Sequence, residues 1–187
     1  IGGLTSPTAG QMIYQGQPYA PTSRKDAEKL GIRMVMQELN LLPTLSVAEN
    51  LFLEQLPHRF GWIDRKKLEQ MARPVMAMVG LQSIDPNTLV GELGIGHQQM
   101  IEIARNLIGE SRVLILDEPT AMLSSREVEL LFKQIALFKA RGVSIIYISH
   151  RLDELAIIAD DIAVLRDGHL VCVEEIKHFT SDQIVSL

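Results

Sequence analysis

The sequence predicts an α/β fold built on a parallel sheet that is buried on both faces. Three observations predict it. Short apolar runs recur in the second half of the chain, at residues 113–116, 143–148 and 162–165. Stretches with helical periodicity separate them. The first run has no polar interruption, the pattern of a strand covered on both sides. Of the 187 residues, 47% are hydrophobic and 22% charged, an ordinary balance with enough apolar material for a sizeable core.

Each element can be justified in order. Residues 11–20 read as a short strand with a turn at Gln15-Gly16-Gln17. Residues 22–30 read as a helix capped by Ser23, with Asp26 and Glu28 following. Residues 32–36 are an apolar strand, and residues 39–46 are a loop around Pro43. Ser46 caps a helix that begins at Val47, and Ser46 and Glu49 have capping-box spacing. Residues 64–79 form a helix starting at Asp64, which Pro74 is expected to kink or split. Residues 97–108 form another, with Met100, Ile101, Ile103, Ala104 and Leu107 near one face. Beyond the strand at 113–116 come a helix at 126–140, a strand at 143–148, a helix at 152–159 and a third strand at 162–165. Asp167-Gly168 is a hairpin turn leading into residues 170–173. The chain thus reads as one domain. A helical middle, about residues 38–110, is flanked by strand-bearing segments, 1–37 and 111–187, that share one sheet. There are no repeats and no low-complexity tract.

Composition narrows the function. A formal net charge of -5 argues against a nucleic-acid partner, which calls for a basic stripe. The single cysteine, Cys172, lies in an apolar run and reads as a buried structural thiol, in keeping with a reducing cytosol. No apolar stretch is long enough to read as a membrane span, and no signal peptide is visible. The chain opens at Ile1, and its first ten residues read as the end of one element followed by a turn. The expectation is therefore a chain whose natural N-terminus lies upstream.

Four places carry chemistry. At residues 113–118 an apolar strand delivers Asp117 and Glu118 at its carboxyl end, where open α/β sheets bind ligands. Two adjacent carboxylates repel unless a cation or proton is shared, and Mg²⁺ bound to phosphate is the natural partner. Asp117 would hold the metal, and Glu118 would orient or deprotonate an attacking water. Gly94, Ile95 and Gly96 precede a helix, where open N–H groups and the helix dipole suit an anion. His150 follows the strand at 143–148, placed to hydrogen-bond a terminal phosphate. Gln37 follows the strand at 32–36 and can contact Mg²⁺ and water without adding charge. His58, His97, His169 and His178 show no metal-ligand spacing. The Arg24-Lys25 and Arg65-Lys66-Lys67 groups read as solvated faces.

Taken in chain order, the four places resemble the ABC ATPase family. Gln37 matches its Q-loop, and Leu93-Gly94-Ile95-Gly96-His97-Gln98 resembles its signature motif. Leu114-Ile115-Leu116-Asp117-Glu118-Pro119-Thr120 matches the Walker B strand with its glutamate, and Ser149-His150-Arg151 matches the switch histidine. The segments at 35–50, 98–105 and 149–155 are similar to bacterial monosaccharide importers, in which two ABC domains are fused, and the chain resembles the first of them.

The resemblance implies a P-loop NTPase (RecA-like) sheet core with an inserted ABC α-helical subdomain. It implies catalytic roles for Glu118 and His150, ATP contacts from Gln37, Asp117 and Gly94 to Gly96, and Mg²⁺ held by Asp117 and Gln37. It also implies a second ABC domain packed head to tail, permease subunits in the membrane, a periplasmic sugar-binding protein, and a place on the cytoplasmic face of the bacterial inner membrane.

Three departures stand out. The 187 residues contain no Gly-x-x-x-x-Gly-Lys-Ser/Thr loop, and Ile1-Gly2-Gly3-Leu4 resembles the end of the helix that follows it. Glycine stands at 94 and histidine at 97, where the family usually has serine and glutamine. The loop after Walker B, Ala121-Met122-Leu123-Ser124, lacks an aspartate. A non-transport ABC ATPase and a degenerate regulatory ABC domain are the rival readings.

Overall fold

Two short strands joined by a tight turn open the fold in the computed structural model, which describes residues 1–109 and 111–178. β1 (Met12–Tyr14) and β2 (Gln17–Tyr19) pair antiparallel. Gln15 and Gly16 between them both have positive φ, the geometry of a type I′ hairpin turn. α1 (Arg24–Lys29) follows, and the Ser23 hydroxyl caps it by accepting from the Asp26 N–H.

β3 (Ile32–Val35) and β6 (Val113–Asp117) pair in parallel, with Ile32 beside Val113 and Val35 beside Leu116. Between them come α2 (Val47–Leu51), β4 (His58–Arg59), β5 (Trp62–Ile63), α3 (Arg65–Met78) and α4 (Ile95–Leu107). Two strands remote in sequence are therefore neighbours in one sheet, and a largely helical stretch is inserted between them. α5 (Ser125–Ala140) leads to β7 (Ser144–Ile148), and the sheet order is β3-β6-β7. α6 (Leu152–Ile158), β8 (Asp161–Arg166) and β9 (His169–Glu175) complete the described chain.

Side-chain alternation explains how the sheet is covered. Ile32, Met34, Val113 and Ile115 share one face and cluster with Tyr19 and Tyr14 of the hairpin and Ala27 of α1. Val35, Leu114 and Leu116 have the opposite parity and no exposed area. Burying a leucine this fully stabilises by about 1.5–3 kcal/mol. α4 packs on β3, and α2, α3 and α4 pack on one another. α5 adds buried Leu131, Ile135 and Phe138.

The chain divides into two compact units, Ile1–Ile146 and Tyr147–Leu187. The second contains α6 and the antiparallel β8-β9 hairpin, turned at Asp167 and Gly168, both with positive φ.

Four details differ from the sequence reading. α3 runs unbroken through Pro74. Pro74 and Gln70, whose carbonyl loses its helical donor, are both exposed, so water can replace the missing bond. The strand at 162–165 does not extend the parallel sheet, because β8 pairs with β9 in a separate two-stranded sheet. α4 starts at Ile95, two residues early, with Gly94 as its N-cap. Cys172 is half-buried on β9 rather than fully buried. Residue 110 and residues 179–187, at the edges of the predicted segments, lie outside the described residues.

Candidate functional site

β6 builds the centre of the site. Leu114, Ile115 and Leu116 anchor it in the core, and Asp117 ends it half-buried. Glu118 follows with φ of 43°, in the left-handed region that non-glycine residues avoid. Holding such a conformation costs about 1–3 kcal/mol, and such residues cluster at functional sites. Pro119 and Thr120 behind it are buried, and Ala121 and Leu123 donate backbone bonds to the carbonyls of Glu118 and Thr120. The chain thus turns sharply just after the two acids, and packing on the far side fixes that turn.

Gln37 lies two residues beyond the end of β3 and is exposed. Because β3 and β6 run in parallel with Val35 beside Leu116, Gln37 and the Asp117-Glu118 pair leave the sheet at the same end. α4 holds the loop after Gln37. The Arg105 Nη1 donates to the Asn40 carbonyl at 2.9 Å, and Nη2 donates to Glu102 Oε1 at 2.7 Å. Glu102 is fully buried. The helix that begins with the glycine segment therefore clamps the segment that begins with Gln37.

The glycines of that segment differ from each other. Gly94 is exposed, supplies no side-chain cap to α4, and has open space where a Cβ would stand. Ile95 is half-exposed at 45%. Gly96 is buried, and a Cβ there would collide with the Glu127 carboxylate. Glu127 belongs to a capping box at the start of α5, accepting from the Ser124 N–H at 2.8 Å and the Ser124 hydroxyl at 2.6 Å. The hydroxyl and then the backbone bond hold its carboxyl below the ordinary 4.5 against partial burial, and nearby His97 lowers it further. An internal carboxylate therefore sits against the N-terminal turn of α4, where an incoming anion would be drawn.

His150 lies in the second unit, two residues past β7, and is exposed. Thus Gln37, Asp117 and Glu118 share a sheet end, the Gly94–Gly96 segment reaches α5 through Glu127, and His150 belongs to a separately packed unit.

Sequence reading missed Arg105 as the clamp of the Gln37 loop and Glu127 as the neighbour of Gly96. Ser124-x-x-Glu127 has the spacing of Ser46-x-x-Glu49, so the second box was visible as a cap, though its partner Gly96 was not.

Among the described residues no three His, Cys, Asp or Glu side chains cluster to form a metal cage. The oxygen donors at the sheet end are the Asp117 and Glu118 carboxylates and the Gln37 amide. That set suits Mg²⁺, which takes one or two protein oxygens and completes its shell with phosphate and water. Among the described residues no helix is long and apolar enough to cross a membrane.

Residues 1–121 match the family model described as ABC transporter. Along its full length the chain is 45% identical to the ribose import ATP-binding protein RbsA of Rhodopirellula baltica and covers 37% of that protein. It is 43% identical, again along its full length, to RbsA of Chromobacterium violaceum, covering 37% of it. The chain therefore spans little more than a third of the curated relatives it matches. Its fold is that of cbiO1 from Clostridium perfringens, part of the ABC transporter complex cbiONQ. The TM-score is 0.77 at 24% identity, over 95% of this chain and 70% of that one. The parallel sheet accordingly has the fold of an ABC ATP-binding protein.

Proposed function

Because the chain belongs to the ABC transporter family, we propose that it is an ATP-hydrolysing part of an importer that drives sugar uptake across the bacterial inner membrane. One observation carries the reading. The parallel register of β3 and β6 sends Gln37 and the Asp117-Glu118 pair out of the same sheet end, with Glu118 held at positive φ. The names of the sugar-import relatives support the substrate class.

In this reading Asp117 and Gln37 hold Mg²⁺, which when bound offsets phosphate charge. Glu118 orients the attacking water and takes its proton. His150 contacts the terminal phosphate, as the resemblance implies. Gly94, Ile95 and Gly96 contact nucleotide held by a second ABC domain, fused or homologous, packed head to tail. Residues 38–110 form the helical subdomain, and residues 1–37 and 111–187 form the core. The partners are permease subunits and, through them, a periplasmic sugar-binding protein, with the chain on the cytoplasmic face. Residues 1–187 contain no Gly-x-x-x-x-Gly-Lys-Ser/Thr run, so alone they neither bind ATP tightly nor hydrolyse it.

Glu118→Gln in the full-length protein tests this. Turnover is expected to fall about 10²–10⁴-fold, the scale of general-base loss, with ATP binding retained. Hydrolysis within threefold of wild type refutes the assignment.

A second reading, a regulatory domain that binds but does not turn over, draws on the Glu127 carboxylate against Gly96 and the missing side-chain cap at Gly94. Wild-type turnover in that same experiment separates the two.

A further inference from the structure

We propose that Glu154 is the positioning residue of the His150 loop. It goes beyond the roles assigned above but rests on the nucleotide-hydrolysing reading. Glu154 stands in the first turn of α6 and is 2% exposed, although the helix has only seven residues. Tyr147, Ser149 and Arg151 converge on its carboxylate. The Tyr147 hydroxyl donates to Oε2 at 2.7 Å, the Ser149 hydroxyl reaches the same oxygen at 3.5 Å, and Arg151 Nη1 pairs with Oε1 at 2.8 Å. The Ser149 hydroxyl also accepts the Arg151 N–H at 3.0 Å.

The arrangement encloses His150 in sequence. Both of its neighbours, Ser149 and Arg151, are tied to one buried carboxylate, while His150 itself is exposed. Tyr147 extends the tie back into β7. An ion pair with one buried member is poor evidence for stability, because desolvating that carboxylate cancels much of the attraction. What such a network does supply, when its members are bonded, is a single defined geometry. Here the geometry defined is that of the strand end and the turn carrying the histidine. Glu154 touches neither substrate nor water in this scheme and acts only by fixing where His150 stands.

The test uses the full-length protein and compares wild type, His150→Ala, Glu154→Gln, Tyr147→Phe and the His150→Ala/Glu154→Gln double variant. Misplacing a catalytic group by about 1 Å costs up to about 10²-fold. Glu154→Gln is therefore expected to lower kcat about tenfold with KM for ATP within twofold. Tyr147→Phe, which removes only a hydroxyl, is expected to lower it less, about threefold. The deciding readout is single-turnover rate in the double variant. If Glu154 acts through His150, Glu154→Gln causes no further loss once the histidine is gone.

Equal losses in both backgrounds, or wild-type kcat for Glu154→Gln alongside a slow His150→Ala, overturn the inference and leave the nucleotide reading intact. Wild-type kcat for His150→Ala overturns the role assigned to the histidine, and the inference with it. Should Glu154→Gln fail to fold, Tyr147→Phe carries the same cycle, with the same outcomes deciding.

Discussion

Two helices of the first unit begin with the same four-residue pattern, and their surroundings put it to different uses. At α2, Ser46 donates from both its N–H and its hydroxyl to Glu49, each at 2.8 Å, and its hydroxyl accepts the Glu49 N–H. The loop at 86–88 closes the rest of that end, since the Val47 and Ala48 N–H groups donate to the Thr88 and Pro86 carbonyls. At α5, Ser124 and Glu127 repeat the box on an exposed serine, and the glutamate lies against Gly96 of α4. Both carboxyls sit below their ordinary pKa, Glu49 chiefly through the Ser46 N–H and Glu127 chiefly through the Ser124 hydroxyl. The local motif fixes the helix start in each case. Tertiary packing alone decides that one glutamate stays a cap while the other becomes a neighbour of the candidate phosphate site.

The largest effect expected from this contrast is on stability. Ser46→Ala should cost about 1–2 kcal/mol and Ser124→Ala about half that, because Ser46 is buried and Ser124 can be replaced by water. Denaturant unfolding measures both. The pH dependence follows from the direction of the shifts. A carboxyl depressed in the folded state stabilises above its unfolded value of 4.5 and loses that contribution as pH falls through the lowered value. The gap between each variant and wild type should therefore narrow below pH 4.5. Equal costs for the two serines break the contrast.

A smaller effect separates the glutamates in function. Glu127→Gln keeps hydrogen-bonding atoms but removes a negative charge from the start of α4. A charge at a helix N-terminus is worth about 0.3–1 kcal/mol, so ATP should act at about two- to fivefold lower concentration in the full-length protein. Glu49→Gln should leave that concentration unchanged. The ATP dependence of turnover is the measurement, and a matching shift in both variants shows that the position of Glu127 is incidental.

How much of this could be read from the sequence follows from the range of each interaction. The Ser23 and Ser46 caps were legible because a cap joins residues three apart. The strand at 113–117 was legible from an unbroken apolar run, and its exit at Asp117-Glu118 came with it. The β4-β5 hairpin was missed because each strand has two exposed residues and leaves no alternation to see. The positive φ of Glu118 was invisible, since nothing in a glutamate announces it and the turn is set by buried Pro119 and Thr120. The Gly96–Glu127 contact and the Arg105 clamp on Asn40 join residues far apart in sequence, and no local pattern encodes them. For Gly94 and Gly96, sequence reading gave two like glycines, whereas the structure makes one replaceable and the other not.

That last distinction yields the smallest and most specific prediction, Gly94→Ser. Gly94 has φ of -60° and ψ of 153°, ordinary for any L-residue and typical of an N-cap. A Cβ there meets nothing within 4 Å, so the side chain enters without strain. A serine hydroxyl can accept from the first-turn amides of α4, for a gain over glycine of only a few tenths of a kcal/mol. The same hydroxyl can donate to a phosphate, the role that serine at this position has in the resembling family. Stability should therefore rise slightly, and ATPase activity in the full-length protein should rise with it. Gly96→Ser is the matched control, because its Cβ would strike the Glu127 carboxylate that Ser124 holds in place. A gain at 94 with a loss at 96 assigns the two glycines different work. A stability gain at 94 with unchanged or lower turnover would show that the bare start of α4 is already adapted to the carboxylate beside it.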